Sequence, residues 1–384
     1  MTALQEYADA GFPIILLGGQ PGYYLSKGGE DQGTVQSAIE KLGISANVHH
    51  AATGELVPTL RGLGLTPRVT TRSNGTWWTT WREDEANGID YTFVFSDTNA
   101  TSGIIEVETL KTPYILDAWS GSRLPLLQYT VNNGTTTVPL TLSGNQTAII
   151  AFASSATTDN KTPSEHVTNT TGEILGYGYS LGGSLVAHVP NSQPGQLQLS
   201  SGRTVRFDTS DIPQGFSLNN WTLSAEHWEA PTDIDDAATV ANKRNTTHEL
   251  QELISWSEIP SLVNASGVGY YQTTVSWPPE GTDLTDLGAY IELPKVLHAV
   301  TLHVNGQRTP PLDFARPVLD ISKYLHTGEN TLLAVVPTTM LNYVGSIQAE
   351  LQNGGQNVTV SGKTQNGLIG VVNILPFQSV PVEA

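Results

Sequence analysis

The sequence predicts a mainly β protein of more than one domain, and three observations carry that prediction. Only 14% of the 384 residues are charged, while Gly alone numbers 37, a balance that suits short strands joined by turns better than long surface helices. From Trp77 onward, apolar residues recur with period two, and the runs are punctuated by Asn-Gly, Ser-Gly and Asp-Thr turns. The length also exceeds what one ordinary core supports, so two or three domains are expected.

Residues 1–72 alone carry an α/β rhythm. Thr2–Ala10 reads as a helix, Pro13–Leu17 as an apolar strand, Gly33–Leu42 as a helix, Ala46–His49 as a strand and Gly54–Leu60 as a short helical piece. Two strands are too few to close a sheet, so this partial α/β segment reads as the end of a larger domain cut off at the present start. Residues 73–215 read as a β-sandwich, with strands at 91–95, 103–107, 136–142, 148–152, 185–189, 196–199 and 204–207, and a Thr-rich loop over 156–172. Residues 216–378 form a second β domain. Strands are expected at 270–277, 287–293, 299–304, 331–336, 346–351 and 358–361, and Thr246 and Glu249 have capping-box spacing ahead of a helix that reaches Ile254.

A net charge of -18 and a pI near 4.7 argue against nucleic acid and anionic membrane as partners, since phosphate contacts need clustered Lys and Arg. No apolar run reaches the eighteen or so residues that a membrane helix needs. With no Cys, disulfides, thiolate catalysis and Cys-based zinc sites are excluded. Ten of the 22 asparagines lie in Asn-x-Ser/Thr sequons: Asn74, Asn99, Asn133, Asn145, Asn160, Asn169, Asn220, Asn245, Asn264 and Asn357. Ser and Thr make up roughly a fifth of the chain, so chance would place about four or five there. The excess points to a secreted glycoprotein. Met1–Ala10 has neither a basic region nor a cleavage site after an apolar core, so the secretion signal is expected upstream.

Gly267-x-Gly269-Tyr270-Tyr271, Val304-Asn305-Gly306, Leu319-Asp320-Ile321 with Tyr324-Leu325, and Gly328-x-Asn330-Thr331-Leu332 form a connected set. It resembles the galactose-binding-like jelly-roll domain of glycoside hydrolases related to β-galactosidases. Trp81-Arg82, Asp90-Tyr91-Thr92-Phe93 and Gly367-Leu368-Ile369-Gly370 resemble the carboxyl-terminal region of glycoside hydrolase family 106, the α-L-rhamnosidase-like proteins. The resemblance implies an accessory, non-catalytic portion of a hydrolase acting on plant-type glycans. Its catalytic carboxylates would lie in an upstream (β/α)8 domain of the same parent chain, and calcium is a possible cofactor. Carbohydrate is then the expected partner, and Trp221, Trp228, Trp256 and Trp277 are the stacking candidates. Large aromatics also fill the space between stacked sheets, which accounts for most of them.

Other motifs admit a chemical and a plain reading. Gly178-Tyr179-Ser180-Leu181-Gly182 fits a nucleophile elbow, with Asp233, Asp235 or Asp236 and His298 or His303 available to complete a triad. Pro190 follows too soon for the helix an elbow requires, so a Gly-rich strand turn is the better reading; the alternatives to an accessory hydrolase portion are a free-standing carbohydrate-binding protein and, behind it, a serine esterase using Ser180. Glu83, Asp84 and Glu85 beside Trp77, Trp78 and Trp81 suit a sugar, yet an acidic turn ending an aromatic strand explains them as well. Asp233, Asp235 and Asp236 offer oxygen ligands for calcium but lack a defined ligand spacing. His49-His50 lacks the i+4 partner of a zinc site, and Gly18-Gly19-Gln20-Pro21-Gly22 matches no phosphate loop.

Overall fold

The computed structural model describes residues 2–18, 32–154, 163–180, 184–233, 238, 240–282, 286–295 and 297–382. The chain separates into two units, Met1–Arg68 and Val69–Ala384. In the first, helices Thr2–Asp9, Gln32–Gly43 and Leu56–Gly62 accompany strands Ile14–Leu17 and Val48–Ala51. The strands pair in parallel with Ile14 opposite Val48, and Ala8, Leu42 and Val48 form their small core with Ile14 and Leu16. The α/β rhythm read from these residues is the one observed.

Among the described residues, the second unit is built from antiparallel sheets around three larger cores and a small cluster of Tyr114, Ala151 and Ala153. Strands Val69–Ser73, Thr101–Val107, Thr135–Leu142 and Thr130–Asn132 make one sheet. Trp77–Asp84, Ile89–Ser96, Thr147–Ala153, Thr112–Leu116 and Arg123–Pro125 make the sheet facing it. Inward residues of both, among them Ile105, Val107, Val138, Val94, Ile150 and Phe152, interdigitate in one core, the two-layer packing that alternating strands impose.

A six-stranded sheet runs in the order Asn242–Leu250, Trp221–Glu229, Gly267–Trp277, Gly328–Pro337, Thr301–Val304, Gln307–Arg308. Its long strand Gly267–Trp277 alternates inward and outward along its eleven residues. The sheet packing on it runs Gly176–Tyr179, Leu185–Pro190, Val372–Pro381, Leu287–Glu292, Val318–Asp320. This second sheet takes strands from both sides of residue 215. Val372 and Ile374 face the core shared with the six-stranded sheet. Leu185, Ala187 and Val189 face a different core, closed by the three-stranded sheet of Val167–Thr171, Gly195–Leu199 and Thr204–Phe207.

Four local expectations are corrected. Asn242–Leu250 is a strand, not a capped helix: Thr246 and Glu249 lie opposite Ala225 and Thr222. A capping box does occur nearby, where Ser255 and Glu258 cap the 3-10 turn Trp256–Glu258. Residues 346–351 fall in the short helices Leu341–Ser346 and Gln348–Asn353, because Ile347 and Leu351 also satisfy an i, i+4 spacing. Residues 358–361 form no strand. Within 156–172, Val167–Thr171 is a paired strand rather than loop.

The Asn-Gly turn stands where expected. Asn305 and Gly306 adopt φ of 51° and 76° and join Thr301–Val304 to Gln307–Arg308, the geometry that two-residue hairpins require. Asn330 is fully buried. Its amide donates to the carbonyls of His326 (2.8 Å) and Gly328 (2.9 Å), and its oxygen accepts from the His326 N–H and the Asn305 Nδ2. Two motifs of that set therefore hold one another.

Candidate functional site

A cleft of about 700 Å³ opens between the first sandwich and the sheet that follows residue 286. One wall consists of two turns, Asp97–Ala100 and Ser143–Asn145; the other is made by Glu292–Lys295 and Phe314–Val318. The turns are locked together by Ser96 N–H to Gln146 O and Asn145 N–H to Ser96 O, both 3.0 Å. Asn145 takes φ of 61°, which Asn tolerates better than most residues. Gly144 is needed for close approach, since a Cβ there would lie 3.0 Å from the Thr98 carbonyl.

Two contacts tie the walls. Gln146 Nε2 donates to Asp313 Oδ2 (2.9 Å), while Asp313 Oδ1 accepts the Ala315 N–H and so shapes the turn carrying Phe314. Trp119 meets Phe314 edge to face at 5.4 Å and 89°, a favourable aromatic geometry. Both rings remain over 40% exposed.

The cleft's chemistry is mixed. Asp97 accepts the Trp78 indole N–H (3.3 Å) and Glu292 accepts the Asn373 amide (3.1 Å), leaving lone pairs on both for further donors. Lys295 and Arg316 line the same space, and among the described residues neither forms an ion pair. Carboxylates, cations, amides and an exposed ring match the hydroxyls and C–H faces of a sugar. None of these residues was singled out for that role in the sequence, except Asn99 and Asn145 as glycosylation sites.

The expected aromatic sites are dispersed. Trp221 and Trp256 are 1% and 0% exposed, so neither ring has a free face. Trp221 donates to the Leu218 carbonyl, and Trp256 to the Tyr271 hydroxyl at 2.7 Å. Burial pushes the Tyr271 hydroxyl up to about 12. Trp277 belongs to the same core. Trp228 alone of the four lies on the outer face, with Lys243 Nζ 4.4 Å from its ring and its N–H on Glu226 (2.6 Å). Those two partners hold the Glu226 carboxyl below the usual range, which keeps it ionised and unsuited to donate a proton at neutral pH.

The described part of the elbow motif leaves a strand. Gly176–Tyr179 and Leu185–Pro190 pair as an antiparallel hairpin, and the Ser180 hydroxyl accepts the Ser184 N–H. A strand stands where the elbow's helix belongs, and among the described residues no histidine bonds Ser180. Leu181 and Gly182 lie outside the described residues, as do Asp235 and Asp236. Asp233 is described, but among the described residues no group of three or more metal-ligating side chains gathers. Trp77 is buried against Thr101, while Trp81 donates to Glu83 and Asp84 binds the Asn87 amide, an acidic turn closing an aromatic strand. Of the sequon asparagines, Asn160 lies outside the described residues and the other nine are solvent-exposed. No described helix is long and apolar enough to cross a membrane.

Neither a protein-family model nor a curated protein matches the sequence. Among solved structures, the chain superimposes on a rhamnosidase from Novosphingobium sp. PP1Y with a TM-score of 0.62 at 18% identity. The match covers 98% of this chain. It covers 32% of the rhamnosidase, so the chain spans about a third of that protein's length. A β-glycosidase from Bacteroides vulgatus and a putative β-galactosidase from Bacteroides fragilis share 15% and 16% identity over 43% and 42% of the chain. Their TM-scores are 0.26 and 0.27, and the matches take in 20% and 23% of those proteins. At such identities the likeness to the rhamnosidase is one of fold.

Proposed function

We propose that this chain is the accessory, carbohydrate-contacting portion of a secreted α-L-rhamnosidase-like glycoside hydrolase of family 106. On this reading its two successive sandwiches, the second a galactose-binding-like jelly roll, follow a catalytic domain in the parent chain. The observation that carries the proposal is the fold agreement, which runs through nearly the whole chain and takes in a third of a rhamnosidase. The cleft adds support, because its lining suits a saccharide.

An inverting hydrolase needs an acid and a base held about 6.5–9.5 Å apart around a water. Glu226 is tied into an ion pair with Lys243 at 3.1 Å, and Glu83 is bonded to Trp81, so neither offers a free general acid. The purified chain is expected not to turn over a chromogenic α-L-rhamnoside, with or without calcium, yet to bind oligosaccharides on a glycan array. Phe314→Ala should reduce that binding while leaving the thermal midpoint within a degree or two. Turnover that survives repurification and disappears in Glu83→Gln or Glu226→Gln would overturn the non-catalytic assignment. An array without any saccharide hit would overturn the binding role.

A further inference from the structure

The cleft has a charge feature that neutral-sugar recognition does not require. The molecule as a whole is strongly acidic, with 36 Asp and Glu against 18 Lys and Arg. Several of its cations are engaged: Arg72, Lys111, Arg203, Lys243 and Arg244 each pair with a carboxylate between 2.5 and 3.1 Å. Lys295 and Arg316, however, stand exposed on one wall of the cleft with no carboxylate partner among the described residues. Arg316 sits in a fixed turn, with its N–H on the Asp313 carbonyl (3.1 Å) and its own carbonyl accepting the Val318 N–H (2.8 Å). Its backbone is thus held before any ligand arrives. The wall's acid, Glu292, is already turned to the Asn373 amide, and Asp97 on the opposite wall to the Trp78 indole.

Resting on the carbohydrate reading above, we infer that the cleft takes an acidic saccharide, a uronic acid unit whose carboxylate is held by Arg316 and Lys295. A guanidinium offers a planar fork of donors that matches a carboxylate, and Lys adds a second point charge. The Phe314 ring, held on edge by Trp119 at 5.4 Å, supplies an apolar surface for the C–H face of the pyranose. Asp97 on the facing wall accepts from hydroxyls. The acidic body of the protein repels polyanions in general, so the two cations select a saccharide small enough to enter rather than a long charged strand.

Calorimetric titration of the full chain with trisaccharides of galacturonate, glucuronate and mannuronate, each beside its carboxyl-reduced counterpart, tests the assignment. At least one uronate should bind about tenfold more tightly than its reduced form, as expected for one charge-assisted contact, and the preference should weaken with salt. Arg316→Met with Lys295→Met should abolish the preference, the carboxyl-reduced sugar serving in the same titration as the reference for any general loss of binding. Both side chains are exposed and, among the described residues, without a carboxylate partner, so the doubly substituted chain should keep its fold, as circular dichroism can verify. Equal binding of the two forms, or a preference unchanged in the double variant, overturns this inference while the carbohydrate reading stands. Binding of neither form overturns both.

Discussion

Asn330 illustrates how much one side chain can hold. It is wholly buried and engages two carbonyls, a backbone N–H and the Asn305 amide. Removing it takes one partner from each of those groups, and an unsatisfied buried polar group costs about 1–3 kcal/mol. Asn330→Ala should therefore lower stability by roughly 2–4 kcal/mol in urea unfolding. A change under about 0.5 kcal/mol, the level of a surface substitution, would show that the network is not needed. His188 makes a different prediction. Its ring is 5% exposed, stacks on Phe377 at 4.0 Å and meets the Tyr290 hydroxyl at 2.8 Å. Burial lowers its pKa, with Asp320 opposing, and burial raises that of Tyr290. The folded state thus disfavours protonated His188, whereas the unfolded chain takes the proton near pH 6.5. Stability should be full above about pH 6.5 and should fall as the pH drops from there towards the depressed folded value. His166 and His227, lowered chiefly by burial, add in the same direction. The urea midpoint should accordingly fall between pH 7.5 and 5, and His188→Gln should flatten part of that slope; a wild-type midpoint constant across the interval would contradict the assignment.

At the scale of elements, a buried face made some strands legible, but not all: Trp221–Glu229 buries one face and was not read as a strand. Gly267–Trp277 alternates without a break and was found by its period. Asn242–Leu250 is an edge strand whose residues are nearly all exposed or half-exposed, so no apolar period marks it, and the capping spacing of Thr246 and Glu249 prevailed. What overrides that spacing is cross-strand pairing: Thr246 bonds the rings of His227 and His248, and Glu249 the Thr222 hydroxyl. Strand Val372–Pro381 is the converse case, an element with more than one duty. Its beginning packs Val372 and Ile374 into the core shared with the six-stranded sheet, while Val380 packs against the core of Leu185, Ala187 and Val189. Ile374→Ala should cost about 2–5 kcal/mol. It should also reduce hydrogen-exchange protection in both Leu287–Glu292 and Leu185–Pro190, which pair with this strand. Loss confined to one neighbour would show that the two halves of the strand open independently.

For the whole molecule, the mainly β class and the early α/β rhythm were readable because they rest on local periodicity. The cleft was not. Asp97, Asn145, Glu292 and Arg316 share no spacing, and only the strand register brings their turns together. The aromatic residues drew attention first because Trp is conspicuous in sequence, yet burial claims Trp221 and Trp256 while the exposed ring in the cleft belongs to Phe314. The shared strand has a further consequence, which concerns time. Val186 pairs with Pro381, so a ribosome adding about 5–20 residues per second supplies the partner roughly 10–40 s after the first strand emerges. Throughout that delay Leu185–Pro190, wholly buried in the finished fold, is a bare apolar edge open to any other strand. The yield of this protein in a host should then depend less on its final stability than on how well that host shields nascent chains for half a minute.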